Sequence, residues 1–586
     1  MTSATDTKRG QKLIHGHFET LIDGLEYAAT CNTGFNFYSG RGDLVEKLSY
    51  KDLCERAKEM ALRLVGMGEV GDRIGLLAVT NADFAILFFA CQYAGLIPAP
   101  LPLPVTLGGR GSYERQLQRM TDTGDFKALF CPSSMENIIS SALNDYNVPV
   151  ISFEDVQKFP KKSEMRPHQA DGPCYIQYSS GSSSSPKGII GTQSTVTSNC
   201  IGILGPIGMN LREDDRATSW LPLYHDMGLI GFMIAPLMGQ LSVDYLSSSD
   251  FTRRPVTWLH LISDMRGTIS YSPTFGYELC VRRWREDREL DLSSWRAAGI
   301  GGDMVQPEPL KRFAKTFAAS GFESKAFTPS YGLAETTLGA TFAPQGQGLL
   351  CDTIDMVRYE RTGAAVPATD LTPSEHKRTF VACGKIIPDH KLEIRDMDTG
   401  KALCERKVGR ICLCGPSITP GYFRNALATK AAFTSDGWLD TGDLGYWLDE
   451  QLVVTGRFKD LILFHGRNIW PQDIEWAAQA AAPSRCGRAC SFSIGKSGDE
   501  KDIILLLECR TRDEKLLEEI FVTVSSAIRL EIGAPVRLIL VPRGTMIITS
   551  SGKLSRVRVR EKMLEGAIID LQAEEPIRLV EASGNA

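Results

Sequence analysis

The chain has 586 residues, 43% hydrophobic and 23% charged, with a formal net charge of -5 at pH 7. At roughly 150 residues per domain this is too long for one ordinary domain, and the charge gives no electrostatic ground for binding nucleic acid or an anionic membrane surface. The 15 cysteines are scattered, with no C-x-x-C pair and no zinc-ligand spacing, so they read as reduced core residues of a cytosolic protein.

Residues 1–20 are polar and lack the apolar core of a signal peptide, so a cytoplasmic location is expected. Residues 48–68 carry apolar side chains at helical spacing before a terminal glycine, which predicts a helix. A buried strand over 72–79, a helix over 82–95 and a strand over 96–104 follow. The most apolar stretch, 73–105, is interrupted by Asn81, Asp83 and Gln92 and ended by prolines. It is too broken to span a bilayer, and no stable membrane insertion is expected. A helix over 115–124, a strand over 127–132, a helix over 136–145 and a strand over 148–153 continue the alternation. This is doubly wound α/β organisation with a mostly parallel sheet, and a second α/β series runs through about 175–340.

Residues 341–380 have little periodicity and many turn residues. So long an irregular piece inside a compact protein is unusual and often functional. Segments 391–403, 409–418 and 437–457 are short strand-like runs with Asp-Gly and Thr-Gly turns, predicting a β-rich subdomain. Beyond Lys459–Asp460, strands over 503–510 and 535–542 around a helix over 513–533 predict a small α+β unit. The expected architecture is α/β. Residues 1–459 form a large N-terminal domain of doubly wound subdomains, with a β-rich subdomain at about 381–459. Residues 460–586 form a small C-terminal domain.

Residues 175–193, YIQYSSGSSSSPKGIIGTQ, pose a choice. Serine and glycine runs usually make flexible linkers. This one holds a single lysine between two strand-like segments. Its hydroxyls, accessible N–H groups and one cation are the parts of a phosphate cradle. It is not a Walker-type loop, because Pro186 precedes Lys187 and Gly188 follows it. The stretch alone leaves both readings open.

SSGSSSSPKG resembles the Ser/Thr/Gly-rich loop of the adenylate-forming superfamily, which activates carboxylates as acyl-AMP. Four more segments follow in that family's order. PSYGLAETT carries Tyr331, Gly332 and Glu335, and WLDTGDLGYW carries Asp443. VTGRFKDLILFHGRNIWPQDIE carries Arg457, Lys459 and Asp460, and ITSSGKLSR carries Lys553. Together they decide for the cradle. The closer resemblance is to the fatty acyl-AMP ligases, through SWLPLYHDMGLIGFMIAPL (Ser219–Leu237), GYELCVRR and GRNIWPQDIE. GGDMVQP, Gly301–Pro307, stands where that branch usually has Gly-Ala-Glu-Pro-Val. Residues 341–380 stand where these ligases carry an insertion absent from acyl-CoA synthetases.

The resemblance implies ATP-dependent activation of a fatty acid as acyl-adenylate, then transfer to the phosphopantetheine thiol of an acyl carrier protein. A fatty acyl-CoA synthetase is the alternative, and a non-catalytic adenylate-binding protein is the alternative of another class. Two anions must meet in such a reaction, so positioning and cations carry the catalysis. By resemblance, Lys553 bridges the carboxylate and the α-phosphate, and Glu335 holds Mg²⁺. Ser179, Ser180, Gly181, Ser182, Ser183 and Lys187 cradle the phosphates. Asp443 and Arg457 meet the ribose, and Tyr331 flanks the adenine beside Gly302, Asp303 and Gly332. His225 lies near the substrate carboxyl, although a histidine in an apolar sequence is more often a satisfied core residue. The apolar run 228–239 suits an acyl tunnel and a core helix equally. Asp460 resembles the hinge between two poses of the small domain. Leu349, Leu350, Ile354, Met356, Val357 and Tyr359 are the apolar residues expected to pack the 341–380 segment against that domain.

Overall fold

The computed structural model describes residues 12–104, 110–178, 186–285, 288–464, 467–483, 485–495, 502–548 and 554–577. Its architecture is mixed α/β. Strand Arg73–Leu77 is flanked in parallel by Ile97–Leu101 and Phe126–Cys131, with Val150–Ser152 beyond the latter. Helices Ala82–Ala94, Arg110–Gly124 and Ser133–Ala142 make the connections, as parallel pairing requires. Helix Ala82–Ala94 is buried at every position but Asp83, which explains the unbroken apolar run of its sequence. Asn81 starts it by accepting from the N–H of Phe84, and Gly95 ends it in the left-handed conformation at φ +73°. A Cβ on Gly95 would lie 2.4 Å from the carbonyl oxygen of Arg166, so space also demands glycine there.

The second sheet has nine strands. Six run parallel, from Phe327–Gly332 through Ala297–Ile300, Ile269–Ser272, Arg216–Ser219 and Ser242–Leu246 to Gly34–Tyr38. Antiparallel neighbours close both edges: Gly339–Phe342 with Lys385–Ile386, and Leu44–Ser49. The Gly34–Tyr38 strand thus joins a sheet built mostly from residues after 215. A buried polar group fixes the junction. Asn36 donates to Asp244 at 3.0 Å, and Arg216 grips the same carboxylate at 2.6 and 2.7 Å. One large apolar core spans both sheets.

Residues 341–380 depart from the expectation of an irregular piece. Strand Cys351–Asp355 pairs antiparallel with Lys377–Val381, and helix Met356–Thr362 follows the first strand. The elements are short, and the inward positions of CDTID include Asp352, which Arg406 and the Tyr446 hydroxyl hold at 3.1 and 2.7 Å. A buried carboxylate at an inward position hides the alternation. The β-rich part is a meander of Lys391–Arg395, Gly409–Cys414, Leu439–Leu448 and Gln451–Arg457.

After it come the hairpin Ile462–Phe464 with Arg467–Ile469, helix Pro471–Ala481, and a three-stranded sheet. In that sheet Asp502–Cys509 pairs antiparallel with Cys486–Ile494 and parallel with Val536–Pro542, across helix Glu514–Ile532. Two apolar clusters of this part draw only on residues from Ile462 onward. Among the described residues no helix is long and apolar enough to cross a membrane.

Candidate active site

A cleft of 4310 Å³ is walled by residues from both α/β sheets, the β-rich meander and the part of the chain beyond residue 460. Strand Phe327–Gly332 delivers Tyr331 to it, and the tight turn after that strand delivers Glu335. The turn is held in an unusual shape. Thr337 adopts φ +69° and ψ -56°, the rare strained γ-turn region, and its hydroxyl donates to the Ser417 carbonyl at 2.9 Å. The amide of Thr419 donates to the Glu335 carbonyl at 2.8 Å. The 415–422 segment therefore grips the Glu335 turn along its backbone.

It also supplies a side chain that motif reading missed. The Tyr422 hydroxyl donates to Glu335 Oε1 at 2.8 Å. The Lys187 ammonium lies 4.6 Å from the centre of the Tyr422 ring. Burial, and then the Glu335 carboxylate, push the Tyr422 phenol far up, so it remains a donor. Tyr422 thus ties the lysine of the serine-rich loop to the carboxylate 87 residues before it in sequence. TPGYF reads as a turn, and nothing local marks its tyrosine.

A second constellation sits on the meander. Asp443 and Arg457 are direct cross-strand partners, and Arg457 Nε donates to Asp443 Oδ1 at 3.1 Å. The Tyr331 hydroxyl donates to Asp443 Oδ2 at 2.8 Å. Gly442, inside strand Leu439–Leu448, adopts φ +73° just before Asp443. Asp443 and, to a lesser extent, burial set Arg457, whose net shift is upward. Burial first, and Asp443 second, raise Tyr331. The three expected nucleotide residues Tyr331, Asp443 and Arg457 therefore form one hydrogen-bonded unit.

Gly302, Asp303 and Gly332 line the same cleft. Gly302 has φ +81°, and a Cβ there would meet the Met227 sulfur at 2.8 Å. Asp303 accepts from the N–H of Met304 at 2.8 Å. His225 lines the cleft and precedes the turn Asp226–Leu229. Its Nδ1 lies 2.5 Å from Asp226 Oδ1. The N–H of Met227 approaches both groups, donating to Asp226 Oδ1 at 2.7 Å and to His225 Nδ1 at 3.4 Å. The apolar run after it is helical, with a π-type turn at Ile230–Ile234. Gly231 and Phe232 reach the cleft, while Leu229, Ile230, Met233, Ile234, Leu237 and Met238 belong to the main core. Such π turns often accompany functional sites.

Lys553 and the loop residues Ser179, Ser180, Gly181, Ser182 and Ser183 lie outside the described residues. Lys187 and Leu554, which stand beyond them, line the cleft. Asp460 accepts from Arg556 at 2.9 Å, and Arg556 also holds Glu475 at 2.8 and 2.6 Å. Among the described residues no three His, Cys, Asp or Glu side chains cluster as a metal cage.

The 341–380 segment meets residues beyond 460 where helix Met356–Thr362 lies on strand Arg467–Ile469, where Ser374–His376 lies on helix Glu514–Ile532, and at Arg378. Arg378 pairs with Asp473 at 2.7 Å. Its guanidinium lies 4.5 Å from the ring of Phe380 and 5.9 Å from those of Trp470 and Trp476. Ile354, Tyr359 and Phe380 share an apolar cluster with Leu444, Tyr446, Val453 and Trp470, and Leu350 and Met356 pack against it. Two of the six expected residues do otherwise. Leu349 packs on the main core, and Val357 is 41% exposed.

Residues 28–423 match the AMP-binding enzyme family. The chain is 42% identical over 570 residues to a putative acyl-CoA synthetase of Caulobacter vibrioides, covering 97% of this chain and 99% of that one. It is 32% identical over 594 residues to the medium-chain-fatty-acid–[acyl-carrier-protein] ligase JamA of Moorena producens, again covering 97% and 99%. A solved structure from a study of fatty acyl-adenylate ligases of E. coli and L. pneumophila superposes with a TM-score of 0.90 at 40% identity, over 94% of this chain and 99% of that one. With this architecture, these motif residues gathered in one cleft and relatives matched end to end, the chain belongs to the AMP-binding enzyme family, as an ATP-using, AMP-forming ligase that resembles the fatty acyl-AMP ligases.

Proposed function

We propose that this enzyme joins a fatty acid to the α-phosphate of ATP, releases diphosphate, and passes the acyl group to the phosphopantetheine thiol of an acyl carrier protein. The observation that carries the proposal is the convergence on one cleft of the Tyr331–Asp443–Arg457 unit and the Lys187–Tyr422–Glu335 unit. Asp443 accepts the ribose hydroxyls, Arg457 holds Asp443 and meets the ribose, and Tyr331 flanks the adenine beside Gly302, Asp303 and Gly332. Lys187 and the hydroxyls and N–H groups of residues 179–183 receive the phosphates. His225 faces the carboxyl end of the substrate. Lys553 supplies the cation between carboxylate and α-phosphate, as a flexible ammonium can.

Mg²⁺ fits this set. It is usually held by one or two carboxylates together with substrate phosphates, and Glu335 offers one carboxylate beside the lysine that faces those phosphates. Bound there, the ion would neutralise phosphate charge. We place the boundary between the two working parts at 459/460, with Asp460 as the hinge. The carrier-protein acceptor is supported by the name of the JamA relative and by the Arg378 contact. An acyl-CoA synthetase is the second reading, favoured by the name of the Caulobacter relative. Fatty-acid-dependent exchange of labelled diphosphate into ATP, across a panel of chain lengths, tests the first half-reaction. Exchange that no fatty acid stimulates would reject it.

A further inference from the structure

Cys486 opens one strand of the last sheet and stands directly opposite Cys509, the final residue of the next. Beside them the N–H of Arg510 donates to the carbonyl of Arg485 at 3.2 Å. That bond makes 486/509 a non-hydrogen-bonded pair of the antiparallel ladder. Such pairs bring their Cα atoms to about 4.5 Å, within the roughly 4.4–6.8 Å that a disulfide spans. Both side chains enter the same apolar cluster, and the Cys509 thiol donates to the carbonyl of Leu507 at 3.7 Å. The register shifts between Cys486 and Ala489, so the backbone at Gly487 and Arg488 has slack to absorb a new bond. Cys486 also lies on the wall of the cleft, so a small solute can reach it.

We propose that Cys486 and Cys509 are a redox-active pair that closes reversibly into a cross-strand disulfide. The two sulfurs are not equivalent. The Cys509 side chain opposite, aided by the cations Arg510 and Arg485, holds the Cys486 thiol below the usual range, and the Cys486 side chain, then burial, raises Cys509. Cys486, which alone of the two lines the cleft, is therefore the nucleophile. Its thiolate attacks one oxygen of hydrogen peroxide, the O–O bond breaks, and hydroxide leaves, giving a sulfenic acid at Cys486. The Cys509 sulfur then attacks the Cys486 sulfur and the S–O bond breaks. The Cys509 proton and the departing hydroxide form water. In sum, two thiols are oxidised and one peroxide is reduced to two waters. A dithiol reductant reverses the bond by exchange. The neighbouring Glu508 accepts from the N–H groups of Gly544 and Met546 at 3.0 and 2.9 Å. The disulfide would thus staple the sheet beside the anchor of the segment that leads towards Lys553.

The test uses the full-length, fully reduced enzyme exposed to hydrogen peroxide. Free thiols are then blocked with N-ethylmaleimide, before and after unfolding, and peptides are read by mass spectrometry. We expect a peptide pair linked through Cys486 and Cys509, the loss of both from the maleimide-reactive set, and their return after dithiothreitol. Cys486→Ala should lose the link, and Cys404→Ser, at an exposed cysteine, should keep it. Recovery of Cys486 and Cys509 as separate maleimide adducts, under peroxide that has oxidised Cys404, would overturn the proposal. So would a link that forms only in the unfolded chain.

Discussion

At the scale of single residues, the site divides into side chains that bind and one that acts as the bond forms. Asp443 is held from two sides, by Tyr331 and Arg457, and in the proposed reaction would accept the ribose hydroxyls without reorganising. Hydrogen bonds to a charged group are worth about 1.5–3 kcal/mol. Asp443→Ala should weaken ATP binding by roughly ten- to a hundredfold, read by calorimetry; unaltered ATP affinity would refute the ribose role. Lys553→Ala should leave ATP affinity nearly intact and slow single-turnover acyl-AMP formation by about two to three decades, or ~3–4 kcal/mol. A rate within about threefold of the parent enzyme would reject that assignment. Glu335→Gln removes one charge from the proposed metal position. Tyr422→Phe removes only the hydrogen bond that orients it, worth about 1.5 kcal/mol at the low end for a bond to a charged group. Both should raise the Mg²⁺ needed for half-maximal rate, the tyrosine variant about tenfold and the glutamate variant more. Mn²⁺ binding in the presence of ATP, followed by electron spin resonance, should weaken in the same order; a Tyr422→Phe enzyme that matches the parent in both would remove it from the metal site. Glu335, Asp443 and Arg457 were legible because each sits in a contiguous motif. Tyr422 was not, because what marks it is a carboxylate 87 residues away.

At the scale of elements, the legible parts were those whose side-chain period survives in the sequence. Helix Ala82–Ala94 and the strands Arg73–Leu77 and Phe126–Cys131 are runs buried at all but one position each, with clear ends. The 351–381 hairpin and its helix were read as irregular because Asp352 occupies an inward position and Arg378 is buried against aromatic rings. Charged residues in a core erase the pattern that reveals a strand. Arg378 also ties this segment to the part of the chain beyond residue 460, through Asp473. Removing one member of a buried ion pair commonly costs ~3–5 kcal/mol; with Asp473 still 22% exposed, the lower end applies. Arg378→Met should therefore loosen that part, seen as faster limited proteolysis near residue 460, and should raise acyl-CoA formation without lowering acyl-AMP formation. Unchanged proteolysis and unchanged acceptor choice in this variant would show that the tie has no such role.

For the whole molecule, the alternation of helix and strand gave the α/β class and the four-stranded sheet. It could not give the crossing of strand Gly34–Tyr38 into the nine-stranded sheet, which depends on Asn36 finding Asp244, 208 residues later. The relation between the part beyond residue 460 and the rest also rests on a distant pair, Arg378 with Asp473. If such ties favour the adenylating pose by ~3 kcal/mol, a rotated pose is populated below about one per cent. A carrier protein can offset that with its own interface, and free coenzyme A has less to offer. The deciding measurement gives the enzyme ATP, Mg²⁺ and a fatty acid that it adenylates, with either coenzyme A or a phosphopantetheinylated carrier protein, and follows thioester formation. We expect acyl-AMP in both mixtures and thioester only on the carrier. Efficient acyl-CoA synthesis by the unaltered enzyme would contradict this and make it an acyl-CoA synthetase.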